Sequence, residues 1–405
     1  MKFLIIAQDL RVSGTSEGVV SRSFIGQLRK VFPNAVIDVV YLRHEQYQDQ
    51  LDLLPVNDLK SHFINRKIPF YIKWLNWMYW RIFHVSLNEW YIQKKYTSII
   101  RKIDYQKYDT VFIRSCGLDY EAILGAIDLP ILQKTILNFH DPYPVFWCSG
   151  SQNKLTNLEL FRLKKMARVV SQAKACISPA TILSADFELI YGHRNKFYVL
   201  PHQFCPLVFD FSDFAKVRTK GKKVTLSYHG IIQFGRNIEI LLDAYKEIIE
   251  SNATYKQHTE FVLRLKGNQA EKLKEKYGDC TNIIFLGHSN FSNASNEQSK
   301  ETDIIIILEN GPLRSNILVG KVPFVASLQK PILCLSPKIS ELRSLIQDEK
   351  YIADCDNLNQ IKSKLEYLIS ERLESNEAVQ PFGDYFSDEN FKVNVLNILN
   401  KVNLD

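Results

Sequence analysis

Several features that mark other protein classes are missing from this sequence. Its 405 residues contain seven cysteines, an odd number, which are scattered and never form a Cys-x-x-Cys pair. This usage indicates reduced thiols in the cytoplasm and argues against a disulfide scaffold or a zinc site. No apolar run approaches the roughly 18 residues that span a bilayer. The apolar run Phe3 to Ala7 is too short for the core of a signal peptide, so we expect a cytoplasmic protein.

A large excess of charge of one sign is also missing. The chain has 51 Lys and Arg against 44 Asp and Glu, a net charge of +7. Such a balance attracts anions, and because no nucleic-acid-binding motif accompanies it, we expect nucleotides or anionic lipids and no nucleic acid. With 46% hydrophobic and 23% charged residues the composition is that of a globular protein, and the length suits two or three domains.

What the sequence does contain is a regular alternation of short β-branched runs and helical patterns. This alternation predicts βαβ units with parallel sheets, in two series. We expect two Rossmann-like, doubly wound α/β domains facing a cleft, residues 1–205 and 224–378, joined by a linker over 206–223. The expected strands are Lys2–Ala7, Ala35–Tyr41, Thr110–Ile113, Lys134–Asn138, Ala175–Ser178 and Phe197–Leu200, then Val224–Tyr228, Phe261–Leu265, Ile283–Leu286, Asp303–Leu308, Pro331–Leu335 and Tyr351–Ala353.

A helical insertion of unusual composition, about residues 67–105, interrupts the first series. It holds four of the five tryptophans, and Trp74, Trp77 and Trp80 share helical spacing with basic residues around them. Large rings beside Lys and Arg are typical of helices that lie in a membrane interface, so these three residues are candidate membrane contacts. The alternative is a helix packed on the first domain, with its aromatic side chains in an ordinary core.

Two segments of the first domain could contribute to a site. Ser13, Gly14 and Thr15 lie in a loop between the first strand and a helix, where free backbone N–H groups could contact a donor or an acceptor; a flexible turn is the alternative. His140 and Asp141 follow an expected strand at its carboxyl end, where this architecture places functional groups. They are candidate catalytic residues, and a buried structural His–Asp pair is the alternative.

The second domain offers candidates for anion binding. Arg236 follows Gly230 and precedes a predicted helix, and an arginine there can grip a diphosphate through paired hydrogen bonds. Lys321 follows Gly320 and could bring a second cation to the same site. A solvated arginine and an ordinary surface lysine are the alternatives. Asp354 and Asp356 spell Asp-x-Asp, but their place between a strand and a helix favours Asp356 or Asn357 as a helix cap over a metal site. We expect no metal and no cofactor.

Taken together, the segments resemble the retaining glycosyltransferases of family 4, which have the GT-B fold. The resemblance covers most of the chain and rests on order and spacing. It is carried by the loop from Gly14 to Gly18, His140-Asp141, Ala175 to Pro179, Tyr198 to His202, Gly230 with Arg236, Gly320-Lys321 followed by Pro331, and Pro381 to Ser387. It implies that the first domain binds the acceptor and that the second binds the nucleotide sugar, with Gly230, Arg236, Gly320 and Lys321 as donor ligands. It also implies that residues 379–405 form a helix crossing back to the first domain.

Two positions depart from the family pattern. Where the family has its first arginine after the glycine, this chain has Ile231. Where the family has the glutamate that binds the donor's ribose, this chain has Phe324, whose side chain cannot form a hydrogen bond. Nucleotide recognition must therefore differ, or the protein is inactive as an enzyme.

The resemblance implies a metal-independent, retaining transfer from a nucleotide-diphosphate sugar to a saccharide or polyprenyl-linked acceptor. Such an enzyme would serve cell-surface polysaccharide biosynthesis and could sit peripherally on the inner face of the cell membrane. Two alternatives remain open. One is a sugar-nucleotide epimerase of the same fold, and the other is a non-catalytic nucleotide-sugar-binding or scaffold protein of a polysaccharide assembly complex.

Overall fold

The architecture is taken from a computed structural model that describes residues 1–12, 16–47, 49–192, 196–266, 269–311 and 313–404. The chain divides into two compact units. Unit 1 comprises Met1–Cys148, Gln152–Val208 and Ser387–Asp405, and unit 2 comprises Ser149–Ser151 and Phe209–Phe386. The change from unit 1 to unit 2 after Val208 lies near the start of the segment that the sequence predicts as a linker.

Unit 1 is built on a seven-stranded parallel sheet. Its strands are β1 Lys2–Ala7, β2 Val36–Arg43, β3 Asp58–Phe63, β4 Thr110–Arg114, β5 Thr135–Asn138, β6 Ala175–Ser178 and β7 Phe197–Val199. Its helices before the last are α1 Ser16–Val31, α2 Phe70–Phe83, α3 Leu87–Ile100, α4 Glu121–Leu124, α5 Asn157–Gln172 and α6 Thr181–Tyr191. The strand order is β3-β2-β1-β4-β5-β6-β7, and since β1 pairs with β2 on one side and β4 on the other, the direction of winding reverses between β1 and β4.

Unit 2 repeats the plan with a six-stranded parallel sheet. Its strands are β8 Val224–Gly230, β9 Thr259–Leu265, β10 Ile283–Gly287, β11 Ile304–Leu308, β13 Ile332–Ser336 and β15 Ile352–Asp354, with the short pair β12 Arg314–Ser315 and β14 Ile339–Ser340. Its helices are α7 Glu239–Ser251, α8 Ala253–His258, α9 Gln269–Tyr277, α10 Phe291–Lys300, α11 Val322–Ser327, α12 Glu341–Leu345 and α13 Leu358–Glu374. The strand order is β10-β9-β8-β11-β13-β15, which reverses between β8 and β11.

The apolar strands form the centre of each unit. All five residues of β11, Ile-Ile-Ile-Ile-Leu, are buried, as is β1 from its second residue onward. Continuous apolar runs are what a parallel strand needs when helices cover both faces of the sheet. The last helix, α14 Asp388–Leu404, packs on α1 of unit 1, where Phe24 and Phe391 meet at 6.1 Å between ring centres and Gln27 Nε2 donates to Asp388 Oδ1 at 2.5 Å.

The structure corrects two expectations about elements. Strand β3 is absent from the predicted series because it lies at the edge of the sheet, where none of its six residues is buried and no apolar alternation marks it. The aromatic insertion is two helices rather than one continuous stretch. His84, with a φ of 52°, ends α2, and Ser86 Oγ caps α3 by accepting from the Glu89 N–H at 3.3 Å.

Candidate functional site

In unit 1, polar side chains gather where the central strands end. Strand β4 ends at Arg114, β5 ends at Asn138, and His140 and Asp141 follow β5 directly. All four lie beside the place where the order of strands reverses, which is where open α/β sheets bind ligands. The candidates Ser13, Gly14 and Thr15 fall outside the described residues, so their part in this site stays a prediction.

His140 is almost completely buried, and its ring is held by a carboxylate that the sequence did not indicate. Its Nδ1 lies 2.6 Å from Oε2 of Glu17, which is in the first turn of α1. The His140 backbone N–H donates to Ser115 Oγ at 3.0 Å. The other ring nitrogen, Nε2, is buried and has no hydrogen-bond partner among the described residues. Contact with Glu17 fixes one side of the imidazole and leaves Nε2 available.

Burial governs the protonation of this pair. It raises the pKa of Glu17 to about 7, although a backbone hydrogen bond from Gly117 opposes the shift. It also lowers the pKa of His140 well below its usual range, and the positive charge of Arg114 adds to that effect. A neutral imidazole can hold one proton on Nδ1, facing Glu17, and a lone pair on Nε2.

Asp141 lies beside the same pair. A Cβ added to Gly117, whose φ is +56°, would stand 3.2 Å from Glu17 Cδ and 3.3 Å from Asp141 Oδ2. A glycine at this position therefore lets both carboxyl groups approach the backbone closely. The Asp141 carbonyl oxygen accepts a hydrogen bond from the buried Tyr120 hydroxyl, which anchors the loop after β5.

In unit 2, Lys321 and Arg236 lie close to one another at the carboxyl ends of the strands. Lys321 Nζ donates to the carbonyl oxygens of His229 at 3.2 Å and Ile306 at 3.5 Å, and it stands 4.6 Å from the centre of the Tyr228 ring. Burial, with the nearby charge of Arg236, lowers the pKa of Lys321 to about 7. Lys321 is thus not an ordinary surface lysine.

Arg236 is held in place by uncharged acceptors. Its Nε donates to Asn310 Oδ1 at 2.8 Å and its Nη1 donates to the Ile231 carbonyl oxygen at 3.0 Å. Among the described carboxylates, none forms an ion pair with Arg236 or with Lys321. Two cations brought together without a counter-ion repel one another, and an anion between them would relieve both that repulsion and the cost of burial.

The two glycines predicted to accompany these cations lie near Lys321, Gly230 in the fold and Gly320 in the chain. Gly230 ends β8 and follows His229, whose carbonyl oxygen accepts from Lys321. A Cβ on Gly230 would stand 2.9 Å from the Tyr228 hydroxyl, so a larger residue there would disturb the ring that lies beside the Lys321 ammonium. Gly320 directly precedes Lys321, which is the residue before α11.

The two departures from the family pattern have clear structural roles. Phe324, in α11, is buried, and its ring lies 6.2 Å from that of Phe291. It therefore serves the core of unit 2. Ile231 has an exposed side chain, but its carbonyl oxygen is the shared acceptor of the Arg236 guanidinium and the Tyr228 hydroxyl.

A buried carboxyl group in unit 2 was missed by the sequence analysis. Glu309 follows β11, and its Oε2 accepts a hydrogen bond from Ser336 Oγ at the end of β13. Burial raises the pKa of Glu309 to about 7 despite that hydrogen bond. The signal in the sequence was a lone acidic residue after an unbroken apolar strand, a position where this architecture places functional groups.

The Asp-x-Asp sequence has a structural role. The Asp354 carboxylate pairs with Arg343 at 2.7 Å, and Asn357 caps α13 by accepting from the Gln360 N–H at 3.1 Å. The cap interpretation is correct, with Asn357 as the capping residue. In the described ranges, no group of three or more His, Cys, Asp or Glu side chains is placed to hold a metal ion.

Helix α2 carries the aromatic residues of the insertion, and none of its 14 residues is buried. Trp74 and Trp77 are 58% and 57% exposed, so the alternative of ordinary core aromatics is wrong for them. Trp80 is half-buried, with its ring edge-on to that of Phe161 at 6.3 Å. The Arg81 guanidinium lies 4.2 Å from the Trp77 ring centre, and α2 contains no acidic residue. No helix in the described part of the chain is long and apolar enough to cross a membrane.

Comparison with known proteins gives a match in fold. No family model matches the sequence, and no curated protein matches it either. Among solved structures, the lipopolysaccharide outer core galactosyltransferase WaaB in its apo form is 13% identical with a TM-score of 0.58, over 98% of this chain and 100% of that one. Sucrose-phosphate synthase from Thermosynechococcus elongatus is 9% identical with a TM-score of 0.62, over 99% of each chain.

A third similar structure is of another enzyme class. UDP-GlcNAc 2-epimerase from Neisseria meningitidis, bound to UDP-GlcNAc, is 14% identical with a TM-score of 0.53, over 99% of this chain and 100% of that one. At such identities the likeness establishes the fold alone. The chain has the two-domain α/β architecture of the GT-B fold, which confirms the predicted fold class.

Proposed function

We propose that this protein is a glycosyltransferase that moves a sugar from a nucleotide-diphosphate donor to a saccharide or polyprenyl-linked acceptor, in cell-surface polysaccharide biosynthesis. The observation that carries the proposal is the pair Arg236 and Lys321. Both cations lie at the strand ends of unit 2, close to one another, without an ion-pair partner among the described residues. A diphosphate is the anion that two adjacent cations of this kind suit best.

The same pair provides a means of catalysis. Breaking the bond between sugar and phosphate builds negative charge on the departing diphosphate. Arg236 and Lys321, already in place, would stabilise that charge more in the transition state than in the ground state. We propose that these side chains supply the positive charge, so that the reaction needs no metal. Retention of the anomeric configuration is part of the proposal through the family resemblance alone.

Unit 1 would supply the polar group that faces the reacting sugar. With Nδ1 of His140 turned to Glu17, Nε2 can accept a hydrogen bond from a hydroxyl group. We propose His140 as a catalytic residue on that basis, with Asp141 beside it, and Glu17 as the residue that orients the imidazole.

We further propose that α2 places the enzyme on the inner face of the cell membrane. Trp74 and Trp77 present rings to solvent, and the charges on the helix, Lys73 and Arg81, are both positive. This combination suits the interface of an anionic bilayer. A membrane location would suit an acceptor carried on a polyprenyl lipid.

Vesicle binding tests the role of α2. Replacing Trp74 and Trp77 by Ser should weaken co-sedimentation with anionic vesicles by at least about tenfold, since burial of one large apolar side chain is worth about 1.5–3 kcal/mol. Leu189→Ser, at an 81% exposed position on α6, is the matched control and should change nothing. Unchanged sedimentation of the double variant would contradict the membrane role.

An epimerase is the second candidate, because the largely buried Glu17 and the buried Glu309 each have a pKa raised to about 7 by burial. A carboxyl group with a pKa near 7 can both accept and donate a proton at neutral pH, which suits proton transfer to and from a sugar. Such an enzyme would act on one nucleotide sugar without an acceptor.

One assay distinguishes the candidates. The protein would be incubated with a panel of nucleotide sugars, with and without an added saccharide acceptor, and the products followed by mass spectrometry and NMR. Release of nucleotide diphosphate that depends on the acceptor supports the transferase. Interconversion of the nucleotide sugar alone supports the epimerase, and binding without turnover supports the non-catalytic scaffold.

A further inference from the structure

A second cationic group lies in unit 1, away from Arg236 and Lys321. Arg114 ends β4, is 2% exposed, and stacks on Phe24 of α1 with its Cζ 4.2 Å from the ring centre. Its Nε donates to Ser21 Oγ at 3.3 Å, and its Nη1 donates to Asn138 Oδ1. Among the described carboxylates, none forms an ion pair with it.

Without an ion-pair partner, burial of the charged Arg114 guanidinium is energetically unfavourable. Burial lowers the pKa of Arg114 to about 9, and the negative charge of Glu17 opposes that shift only in part. Glu17 is itself occupied by His140. A buried charge is normally compensated by a carboxylate or by a dense set of acceptors, and two neutral oxygens from Ser21 and Asn138 supply less than that.

Arg114 also lines a narrow cavity within unit 1. Four lining residues are apolar and none is acidic: Val20, Phe24, Arg114, Asn138, Leu200, Pro201, His202 and Gln203. The Gln203 amide donates to the Pro201 carbonyl oxygen at 3.1 Å, and Asn138 Oδ1 accepts from Arg114. No described residue accepts a hydrogen bond from Asn138 Nδ2, and none is hydrogen-bonded to the ring of His202. His202 lies edge-on to His140, with the ring centres 5.5 Å apart.

From this arrangement we infer that the cavity binds the oxyanion of a ligand, a carboxylate or a phosphate, against Arg114, Asn138 and His202. An oxygen of such a group would accept hydrogen bonds from the free N–H groups of the guanidinium, from the amide and from the imidazole. The enclosed volume is about 10 Å³, which is room for one water-sized atom, so a single oxygen of a terminal acidic group would enter and the rest of the ligand would stay outside. The proposed function needs an acceptor, and the family resemblance assigns it to the first domain; on that basis the acceptor is an acidic saccharide or a phosphate ester.

His202 gives the site a signal of its own. Burial, with the neighbouring His140 and the positive charge of Arg114, lowers the pKa of His202 well below its usual range. An anion in the cavity would reverse part of that effect, so the resonances of the His202 ring should shift on binding and its pKa should rise. This readout does not depend on turnover.

The test uses the full chain with Arg236→Ala and Lys321→Ala, so that the proposed donor site in unit 2 does not contribute. Inorganic phosphate and acetate would be titrated separately at constant ionic strength, with the histidine rings followed by NMR and the heat by calorimetry. We expect saturable binding that shifts the His202 ring, weakened at least about tenfold by Arg114→Met. Arg168→Met, an exposed arginine of unit 1 that pairs with Asp128, is the matched control and should bind as its parent does.

Further variants keep the test decisive if Arg114→Met does not fold. Asn138→Ala and His202→Gln each remove one donor and should each weaken anion binding severalfold. Stronger binding of phosphate than of acetate would assign the cavity to a phosphate ester, and the reverse to a carboxylate of an acidic saccharide. The inference is overturned if neither anion shifts the His202 ring, or if folded Arg114 variants bind as tightly as their parent. Because unit 2 is disabled throughout, either result leaves the donor site to be judged separately.

Discussion

The carboxyl ends of the two parallel sheets carry opposite kinds of chemistry. In unit 1 the residues are an acid and a base, Glu17 and His140, whose Oε2 and Nδ1 atoms lie 2.6 Å apart; burial raises the pKa of the first and lowers the pKa of the second. In unit 2 they are two cations, Arg236 and Lys321, held by carbonyl and amide oxygens. The carboxyl ends of the two sheets therefore differ in their chemistry. In unit 1 they carry groups that can exchange a proton, and in unit 2 they carry two basic side chains without a described counter-ion.

Two units of the same architecture could therefore bind different parts of one substrate. A sugar's hydroxyl groups need neutral hydrogen-bonding partners, whereas a diphosphate needs positive charge. If the proposed function is right, damage in unit 1 should affect turnover more than binding of nucleotide, and damage in unit 2 should affect both.

The largest effect is expected at His140. In His140→Asn the side-chain amide can still donate to Glu17 but has no counterpart of Nε2. We expect transfer activity to fall by about 10² or more, as for a positioned polar catalytic group, with nucleotide diphosphate binding unchanged. Steady-state kinetics, calorimetry and thermal unfolding of the variant would measure these. Near-normal activity per folded molecule, with lower stability, would make His140 a structural residue and remove the contrast between the units.

The next largest effect is expected at the cation pair. A hydrogen bond to a charged group is worth roughly 1.5–3 kcal/mol, so Arg236→Ala and Lys321→Ala should each weaken nucleotide diphosphate binding about 10- to 150-fold. Turnover should fall at least as much. The two substitutions should be non-additive, because both cations would serve one pair of phosphates. Isothermal titration of parent, single and double variants would measure this.

Unit 2 offers a matched control for Lys321. Lys330 is also a lysine bound to carbonyl oxygens, and burial lowers its pKa to about 8, but it precedes β13 and so lies at the amino ends of the strands. Lys330→Ala should leave nucleotide diphosphate binding as in the parent. Parental affinity in the Arg236 and Lys321 variants would show that the donor site has been assigned to the wrong residues.

The sequence predicted the strands well because most are continuous apolar runs, such as β11, and burial on both faces demands that pattern. The edge strand β3 was not predicted because none of its residues is buried and its sequence therefore has no apolar run. His140, Arg236 and Lys321 could be named as candidates from their places beside strand ends and helix starts. Their partners could not be named, since Glu17 is 123 residues from His140 and the contact depends on how α1 packs on the sheet. The hydrogen-bond partners and the burial of each cation likewise depend on how the chain packs, and residue spacing in the sequence does not predict them.

A smaller effect is expected at Glu17, which we interpret as a positioning residue. Because burial raises the pKa of Glu17 to about 7, its ionised form, which accepts from His140 Nδ1, is favoured as the pH rises through that value. Activity should therefore rise through about pH 7 in the parent. Glu17→Gln should lower activity about tenfold above that pH and remove this dependence on pH. Because the pKa of Glu17 is higher in the folded than in the unfolded chain, its ionisation costs stability progressively from about pH 4.3 up to about pH 7 and no further above that, so the variant should lose less stability over this range.

The pH profile of kcat/KM would measure the effect, with Glu239→Gln, a surface variant of unit 2, as the control. A variant that is less active but keeps the parent's pH profile would show that Glu17 supports the fold without orienting His140.

The smallest and most specific effect is a proton taken up on binding in unit 2. Burial and the charge of Arg236 lower the pKa of Lys321 to about 7, so at about pH 8 the free protein holds this amine mostly neutral. A diphosphate beside it would favour the charged form, and binding should therefore take up close to one proton at about pH 8 and less at lower pH. Calorimetry in buffers with different ionisation enthalpies measures this number directly. Lys321→Ala should abolish the uptake and Lys330→Ala should keep it, because Lys330 lies at the amino ends of the strands. Uptake that survives in Lys321→Ala would mean that another group takes the proton and that Lys321 does not meet the diphosphate.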